Sequence, residues 1–269
     1  MNQRQISFIG AGNMANSLIR GLLAKDVPAQ NIAATDIDSD KLAQLASECG
    51  IRTGDTSSVA SEADVIVLAV KPQVMASVCA ALRPLIGKKD CLIISIAAGI
   101  PVSSLASWLG DDRAIVRCMP NTPSLVGEGA TGLFANARCS EQHQQLAGDI
   151  MAAVGIACWL DQEQDIDAVT ALSGSGPAYF FLMMEAMEKA GTAMGLTAET
   201  ARQLAIQTAL GAGKLAANSD VPPDELRRRV TSPGGTTEQA VLSFQRDGFE
   251  SIVETAMKAA QQRAAELAK

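Results

Sequence analysis

Gln5-Ile6-Ser7-Phe8-Ile9-Gly10-Ala11-Gly12-Asn13-Met14-Ala15 opens the chain with a short β-type run, a glycine-rich turn and the start of a helical pattern carried by Leu18, Leu22 and Leu23. This is G-x-G-x-x-A in the strand-to-helix setting that a dinucleotide-binding turn requires. Gly10 makes the tight turn, Gly12 lets backbone approach a pyrophosphate, and Ala15 permits close packing of helix on strand. The helix N-terminus faces the phosphates, so residues 10–14 are the first candidate cofactor contacts. A purely structural glycine turn also fits so short a motif, but its place at the head of a βαβ pattern favours the nucleotide.

Working outward, Asn31 to Thr35 reads as a second strand ending in Asp36, where an acid that hydrogen-bonds the adenine ribose is expected. Asp38 and Asp40 follow and no arginine does. Local electrostatics therefore favours NAD(H) over a 2′-phosphate, with Ser39 and Lys41 available to accommodate NADP(H). The continuous apolar run Asp64 to Val70 has the character of a strand buried in a parallel sheet and ends in Lys71-Pro72. Cys91 to Ile96 repeats the pattern and ends in Ala97-Ala98-Gly99; Ala114 to Cys118 repeats it again and ends in Met119-Pro120-Asn121-Thr122-Pro123. Ligands of doubly wound sheets lie beyond the carboxyl ends of the strands, so these endings, from Val70 onward, are expected to line one crevice. Ala97, Ala98 and Gly99 would let a flat ring approach the backbone, and Asn121 offers an amide to nicotinamide, although ordinary turn chemistry also explains both.

Strands near Thr131 to Phe134 and Ile156 to Leu160, with a helix between Glu141 and Val154, complete an N-terminal Rossmann-like, doubly wound α/β domain over residues 1–162. From residue 163 to 269 the β-rich runs stop, and an all-α helical domain is expected. With 269 residues the chain exceeds the usual single-core size, which supports two domains. The net charge of −7 is spread in mixed sign, which argues against nucleic acid or an anionic membrane as partner. No apolar run approaches the roughly 20 residues of a membrane span, and Met1 to Gln5 lead into a strand rather than a signal segment; a soluble, cytoplasmic protein is expected. The six cysteines have no CxxC spacing and read as small core residues, with no metal site. The single histidine, His143, reads as part of a solvated helix face without a neighbour to orient its ring, which excludes a Ser-His-Asp triad.

In the second half, Ser173-Gly174-Ser175-Gly176-Pro177 reads as a further N–H-rich helix start. Ala178 to Gly195 is apolar nearly all round, too much for a small helical domain to bury alone, and so suggests a subunit interface. Ala198 to Ala217 forms the next helix, and Pro222 to Arg229 another, with acids first and bases last. Then comes Val230-Thr231-Ser232-Pro233-Gly234-Gly235-Thr236-Thr237-Glu238, feeding a helix that reaches Phe244 and a last one from Phe249 to Leu267. Pro233 fixes one φ, Gly234 and Gly235 permit positive φ, and Thr236 with Gln239 reads as a capping box. Such a loop is an anion-binding nest at a helix N-terminus, although a capped Gly-Gly turn fits the same residues. A carboxylate there gains about 0.3–1 kcal/mol from the helix dipole and about 1.5–3 kcal/mol per charged hydrogen bond.

The inventory of proton donors is thin: the loop hydroxyls, Tyr179 and Lys71. Carbonyl reduction wants an acid for the alkoxide, whereas an imine accepts hydride at carbon with its nitrogen already protonated or protonated by water. The chain resembles the Δ1-pyrroline-5-carboxylate reductase family over essentially its whole length, through Gly10–Met14, Ala69–Pro72, Met119–Pro123, Ser173–Tyr179 and, most specifically, Val230–Thr237. The resemblance implies reduction of (S)-1-pyrroline-5-carboxylate to L-proline by NAD(P)H, the last step of proline biosynthesis. It also implies a domain-swapped helical homodimer able to assemble into decamers. NADPH is the implied cofactor, in tension with the NADH reading of Asp36. The candidate cofactor contacts are Gly10, Ala11, Gly12, Asn13, Met14, Asp36, Val70, Lys71, Pro72, Ala97, Ala98, Gly99, Asn121, Ser175 and Gly176. The resemblance implies substrate contacts at Ser232, Gly234 and Thr237 and a helix-borne acid at Asp220, where the family has glutamate; Gly235 is a further candidate beside them. In the expected mechanism Ser232 and the N–H groups of Gly234 and Gly235 hold the substrate carboxylate, and Thr237 orients the ring nitrogen for hydride transfer. A β-hydroxyacid dehydrogenase would carry a lysine in the helix after Ser173, and residues 173–181 contain none. A nucleotide-sensing dimer without turnover is the other alternative.

Overall fold

The computed structural model describes residues 1, 3–87 and 90–267. Its chain divides into two compact units, the first running to Ser175 and regaining the C-terminal stretch from Ala260, the second spanning Gly176–Ala259. The end of the first unit lies thirteen residues beyond the expected boundary at 162: residues 163–175 are packed with the sheet, and the end of the last helix belongs to the same unit.

The first unit is built on an eight-stranded sheet in the order β3-β2-β1-β4-β5-β6-β7-β8. Its strands are β1 Ile6–Ile9, β2 Ile32–Thr35, β3 Arg52–Thr53, β4 Val65–Leu68, β5 Leu92–Ser95, β6 Ile115–Met119, β7 Gly129–Ala135 and β8 Gly155–Trp159. All pairings are parallel except β6 with β7. Alternate residues of the central strands feed opposite cores, as the period-two geometry of a strand requires. Ile6, Phe8, Val65, Val67, Leu92 and Ile94 pack on one face. There they meet Leu18, Ile19 and Leu22 of α1 (Asn13–Ala24), Leu45 of α2 (Ser39–Cys49), and Ile150 and Met151 of α6 (Glu141–Ala152). Ile9, Ile66, Leu68 and Ile93 take the other face. That face is covered by Val59 of α3 (Thr56–Ser61), Met75 and Leu82 of α4 (Pro72–Ile86), and Leu105 and Leu109 of α5 (Val102–Leu109). The doubly wound arrangement is thus a direct result of four-residue strands with no polar face.

Beyond the sheet the chain is helical: α7 Asp165–Val169, α8 Gly176–Ala193, α9 Ala198–Ala217, α10 Pro223–Arg229, α11 Thr236–Arg246 and α12 Phe249–Leu267. In the second unit Phe180, Phe181, Leu182 and Met187 of α8 and Leu204, Ile206 and Leu210 of α9 are exposed. An apolar surface of that extent marks an association face. Among the described residues no helix is long and apolar enough to cross a membrane, and no cluster of His, Cys, Asp or Glu could hold a metal ion.

Three local expectations change. Ser173–Pro177 is not a fresh helix start: α7 runs into a π-turn at Thr170–Gly174, where Ser175 N–H donates to Thr170 C=O at 2.8 Å, and α8 follows directly. His143 is not a solvated ring. It sits third in α6 within a capping box, its Nδ1 accepting from Ser140 N–H at 3.3 Å and its Nε2 standing 3.5 Å from Asp90 Oδ1. The cysteines are not uniformly core residues, since Cys158 is exposed on β8. That strand pairs on one side only and leaves alternate residues uncovered.

Burial raises the Cys79 thiol to about 11 and the Cys139 thiol to about 11, and pushes Cys118 upward as well. A raised thiol pKa leaves less thiolate at pH 8. A thiol reagent at that pH is therefore expected to label Cys158 in the folded protein and to reach Cys79, Cys118 and Cys139 only after denaturation, read by mass spectrometry of the labelled peptides.

Candidate active site

Strand order reverses between β1 and β4, which both run parallel and end at the same edge. A crevice opens at such a switch point because successive connections leave to opposite faces. Gly10, at φ +104°, follows β1, and a Cβ placed on it would stand 2.6 Å from Ala69 C=O after β4. The residue is glycine for two independent reasons, backbone angle and proximity. Gly12 differs: it is the N-cap of α1, exposed, with ordinary φ of −69° and nothing within 4 Å of a Cβ placed on it. Its openness suits a ligand at the helix start, where no side chain caps the helix. Asn13 is exposed beside it, Met14 is half-buried, and Ala15 is sealed against the sheet.

Asp36 lies at the end of β2, and its carboxylate is engaged with the glycine turn itself. Oδ2 accepts from Ala11 N–H at 2.6 Å and Oδ1 from Asp38 N–H at 3.0 Å. It braces the turn and still has lone pairs for a ribose hydroxyl. Asp38 caps α2, is held below the usual carboxylate range by Lys41, and lies 3.2 Å from that lysine's Nζ. Val70 and Lys71 follow β4, with exposed Lys71 as the N-cap of α4 and Pro72 as its first residue. Ala97 is buried, Ala98 exposed, and Gly99 adopts φ +74° in the turn after β5. Leu267 C=O approaches to 3.0 Å of where a Cβ on Gly99 would lie.

Asn121 departs from expectation. Its amide is buried and committed: Oδ1 accepts from Ala130 N–H at 2.9 Å and Nδ2 donates to Ser173 C=O at 3.0 Å. The second bond has a clear origin. Pro177 has no N–H, so the carbonyl four residues earlier, that of Ser173, loses its helical partner, and Asn121 supplies one. Asn121 thus ties the π-turn to the sheet rather than offering a free amide. Ser175 is half-buried and its N–H is taken within the π-turn, while Gly176 is buried at the start of α8.

In the second unit, the loop after α10 ends with Gly234 at φ +72° and Gly235 as the N-cap of α11. The expected capping box on Thr236 and Gln239 does not form, because Thr236 is already the first helical residue. Instead Glu238 reaches back, its Oε2 accepting from Gly234 N–H at 2.8 Å, and Gly235 N–H donates to Ser232 C=O at 3.0 Å. Both N–H groups assigned to the substrate carboxylate are therefore occupied. The donors left open are the first-turn N–H groups of α11, at Thr236 and Thr237, for which no side chain provides a cap, together with the exposed Ser232 and Thr237 hydroxyls. Asp220 is exposed but not helix-borne: it lies in the bend between α9 and α10, ahead of Pro222, the extended N-cap of α10. Glu225 of α10 is held down to about 2 by Arg228 and Arg229 and so remains charged at any working pH.

A dinucleotide crevice in one unit and an anion-ready loop in a helical unit with an exposed apolar surface define the class as a Rossmann-type chain with a helical association domain. Residues 163–267 match the family model described as pyrroline-5-carboxylate reductase dimerisation, and residues 5–99 that described as NADP oxidoreductase coenzyme F420-dependent. A pyrroline-5-carboxylate reductase of Pseudomonas aeruginosa is 57% identical over 269 residues, covering 100% of this chain and 98% of the relative. One from Vibrio alginolyticus is 46% identical, covering 100% and 99%. A solved pyrroline-5-carboxylate reductase from Coxiella burnetii superposes with a TM-score of 0.97 at 44% identity, covering 100% of both chains. A pyrroline carboxylate reductase structure from Plasmodium falciparum with NADP bound gives 0.86 at 30%, again covering 100% of both. The chain belongs to the pyrroline-5-carboxylate reductase family.

The two glycines of the first turn separate folding from binding. Gly10→Ala is expected to cost at least about 1–3 kcal/mol of stability, since it combines positive φ with backbone overlap. Gly12→Ala should leave urea stability within about 0.5 kcal/mol yet weaken nicotinamide dinucleotide affinity in a fluorescence titration.

Proposed function

We propose that this chain reduces 1-pyrroline-5-carboxylate to L-proline, hydride passing from NAD(P)H to the imine carbon. The observation that carries the reading is that one chain of this family holds both a glycine-turn crevice and, in its helical unit, an anion-ready helix start, while its candidate residues include no histidine, metal cluster or buried lysine. Those residues suit an imine. The protonated ring nitrogen needs no acid, only orientation, and hydride addition turns C=N–H⁺ directly into the neutral secondary amine while the cofactor becomes oxidised.

The residues present fit a nicotinamide cofactor: Gly12 is open, the α1 start is uncapped, and Asp36 stands beside the turn with acceptor capacity to spare. When bound, the cofactor supplies the hydride. Residues 10–14 would hold its phosphates, Asp36 its ribose, Val70 to Pro72 and Ala97 to Gly99 the nicotinamide side. NADPH is the donor that family membership favours, and NADH the one that Asp36 favours. On the substrate side, Ser232 Oγ and the N–H groups of Thr236 and Thr237 receive the carboxylate, Gly234 and Gly235 serving to shape the loop. Thr237 Oγ1 accepts from the ring N–H⁺ and sets the imine carbon toward the nicotinamide. The active species is a cytoplasmic homodimer or a larger ring built from it, which sedimentation of the active enzyme checks.

Absorbance of reduced nicotinamide should fall when pyrroline-5-carboxylate is added, and an unchanged signal refutes the activity. Thr237→Ala is expected to lower kcat/KM for the imine about 10- to 100-fold with cofactor affinity unchanged. Asp36→Asn keeps an oxygen acceptor and removes the charge. It should raise the ratio of kcat/KM with NADPH to that with NADH about tenfold, equivalent to about 1.4 kcal/mol.

A further inference from the structure

Arg117 has no part in the chemistry above, yet it is buried in β6 with only 4% of its surface exposed, paired in register with Ser95 of β5 and Phe134 of β7. A guanidinium at that depth is tolerated only when paired. Its Nη1 donates to Glu163 Oε1 at 2.9 Å, and its Nε has no partner among the described residues. The same Glu163 oxygen accepts from Val102 N–H at 2.8 Å.

Val102 begins α5, and the residue before it is Pro101, the N-cap, whose side chain cannot accept a hydrogen bond. The helix start therefore takes its acceptor from a residue 61 positions away in sequence. A carboxylate there also complements the helix dipole. Immediately upstream is the Ala97–Gly99 turn. At its entry Ile96 N–H bonds Leu68 C=O at 3.2 Å and Ser95 Oγ accepts from Ala97 N–H at 3.4 Å. At its exit stands Glu163. The turn is thus pinned at both ends, and Arg117 adjoins both pins. Glu163 is also the first residue matched by the dimerisation model.

We propose that Glu163 is a positioning residue for the reduction. Held by Arg117, it fixes the Ala97–Pro101 turn through Val102 N–H, and with it the wall against which the nicotinamide ring would lie. This rests on the reading of that turn as the nicotinamide-side wall. A role in positioning is separable from ion-pair stabilisation, since the acceptor on Val102 and the charge facing Arg117 can be removed separately. Glu163→Ala removes both, whereas Glu163→Gln keeps an oxygen for Val102 and removes only the charge.

Tm, amide hydrogen exchange over residues 97–104, NADPH dissociation constant, kcat and the primary deuterium isotope effect with 4-deuterated NADPH would be measured for the full-length enzyme and each variant. Both variants are expected to lower Tm, Glu163→Ala the more because it also orphans Val102 N–H. Glu163→Ala should accelerate exchange in the turn, lower kcat about 10- to 100-fold and raise the isotope effect, while Glu163→Gln should keep kcat within about threefold of wild type. Ala98→Leu, placing a branched side chain on the exposed face of the turn, should weaken NADPH binding at least tenfold. Wild-type kcat and isotope effect in Glu163→Ala, or equal losses of rate in both Glu163 variants that simply follow Tm, would overturn the proposal. Unchanged NADPH binding in Ala98→Leu would sink the reading of the turn, and this proposal with it. Weakened binding there with normal turnover in Glu163→Ala would sink this proposal alone.

Discussion

Burial of both faces of the central strands is the constraint on which the first unit depends. Val65–Leu68 and Leu92–Ser95 have no polar face to give to water. Their backbone groups must then be satisfied within the sheet and their side chains by helices on both sides. Parallel strands need crossover connections, and crossovers place the carboxyl ends of β1, β2, β4, β5 and β6 along one edge. Chemistry gathers there because that is where the chain leaves the sheet, and glycine, small and hydroxyl residues occupy the exits.

The same constraint explains why the sheet and its crevice were legible from sequence. Short, uninterrupted apolar runs bounded by Gly, Pro and Asn announce buried strands and their endings together, so Gly10, Asp36, Val70 and Gly99 could be placed without coordinates. The helical half was legible as helices but not in detail. Periodicity locates α9 from Ala198 to Ala217, yet says nothing of which hydrogen bonds a loop closes on itself. Glu238 folding back to Gly234, and Thr236 falling inside α11 rather than capping it, depend on where a single positive φ falls among two glycines. The π-turn was hidden for a related reason. Ser-Gly-Ser-Gly-Pro looks like a helix start, and only the continuous helix from Asp165 makes the proline an interruption whose orphaned carbonyl Asn121 must satisfy.

Long-range polar pairs were the least legible. Nothing in the neighbourhood of Glu163 says that it will cap a helix beginning at Val102. One signal was present: Arg117 interrupts an otherwise apolar strand, Ala114 to Cys118, and a charge at such a position demands a partner from elsewhere in the chain. The demand can be read from sequence, whereas the identity of the partner emerges only when the fold brings the segments together. Asp36 carries a similar lesson. A nucleotide contact was foreseen for it, but its bond to Ala11 N–H makes it part of the turn's own scaffold, so charge and shape at that position are not independent.

The carboxylate of Glu238 on Gly234 N–H acts as a resident place-holder. A loop of glycines and hydroxyls left empty would sample many conformations, and a ligand would have to pay for ordering it. With an internal anion seated there, the curvature is already set between turnovers. In the proposed complex a substrate carboxylate would take the uncapped first-turn N–H groups of α11 beside it, so Glu238 offsets part of the attraction of the helix start without occupying those donors. On that proposal the attraction of charge is shared with any acid, and discrimination would come from the hydroxyl contacts at Ser232 and Thr237, which suit a small rigid ring.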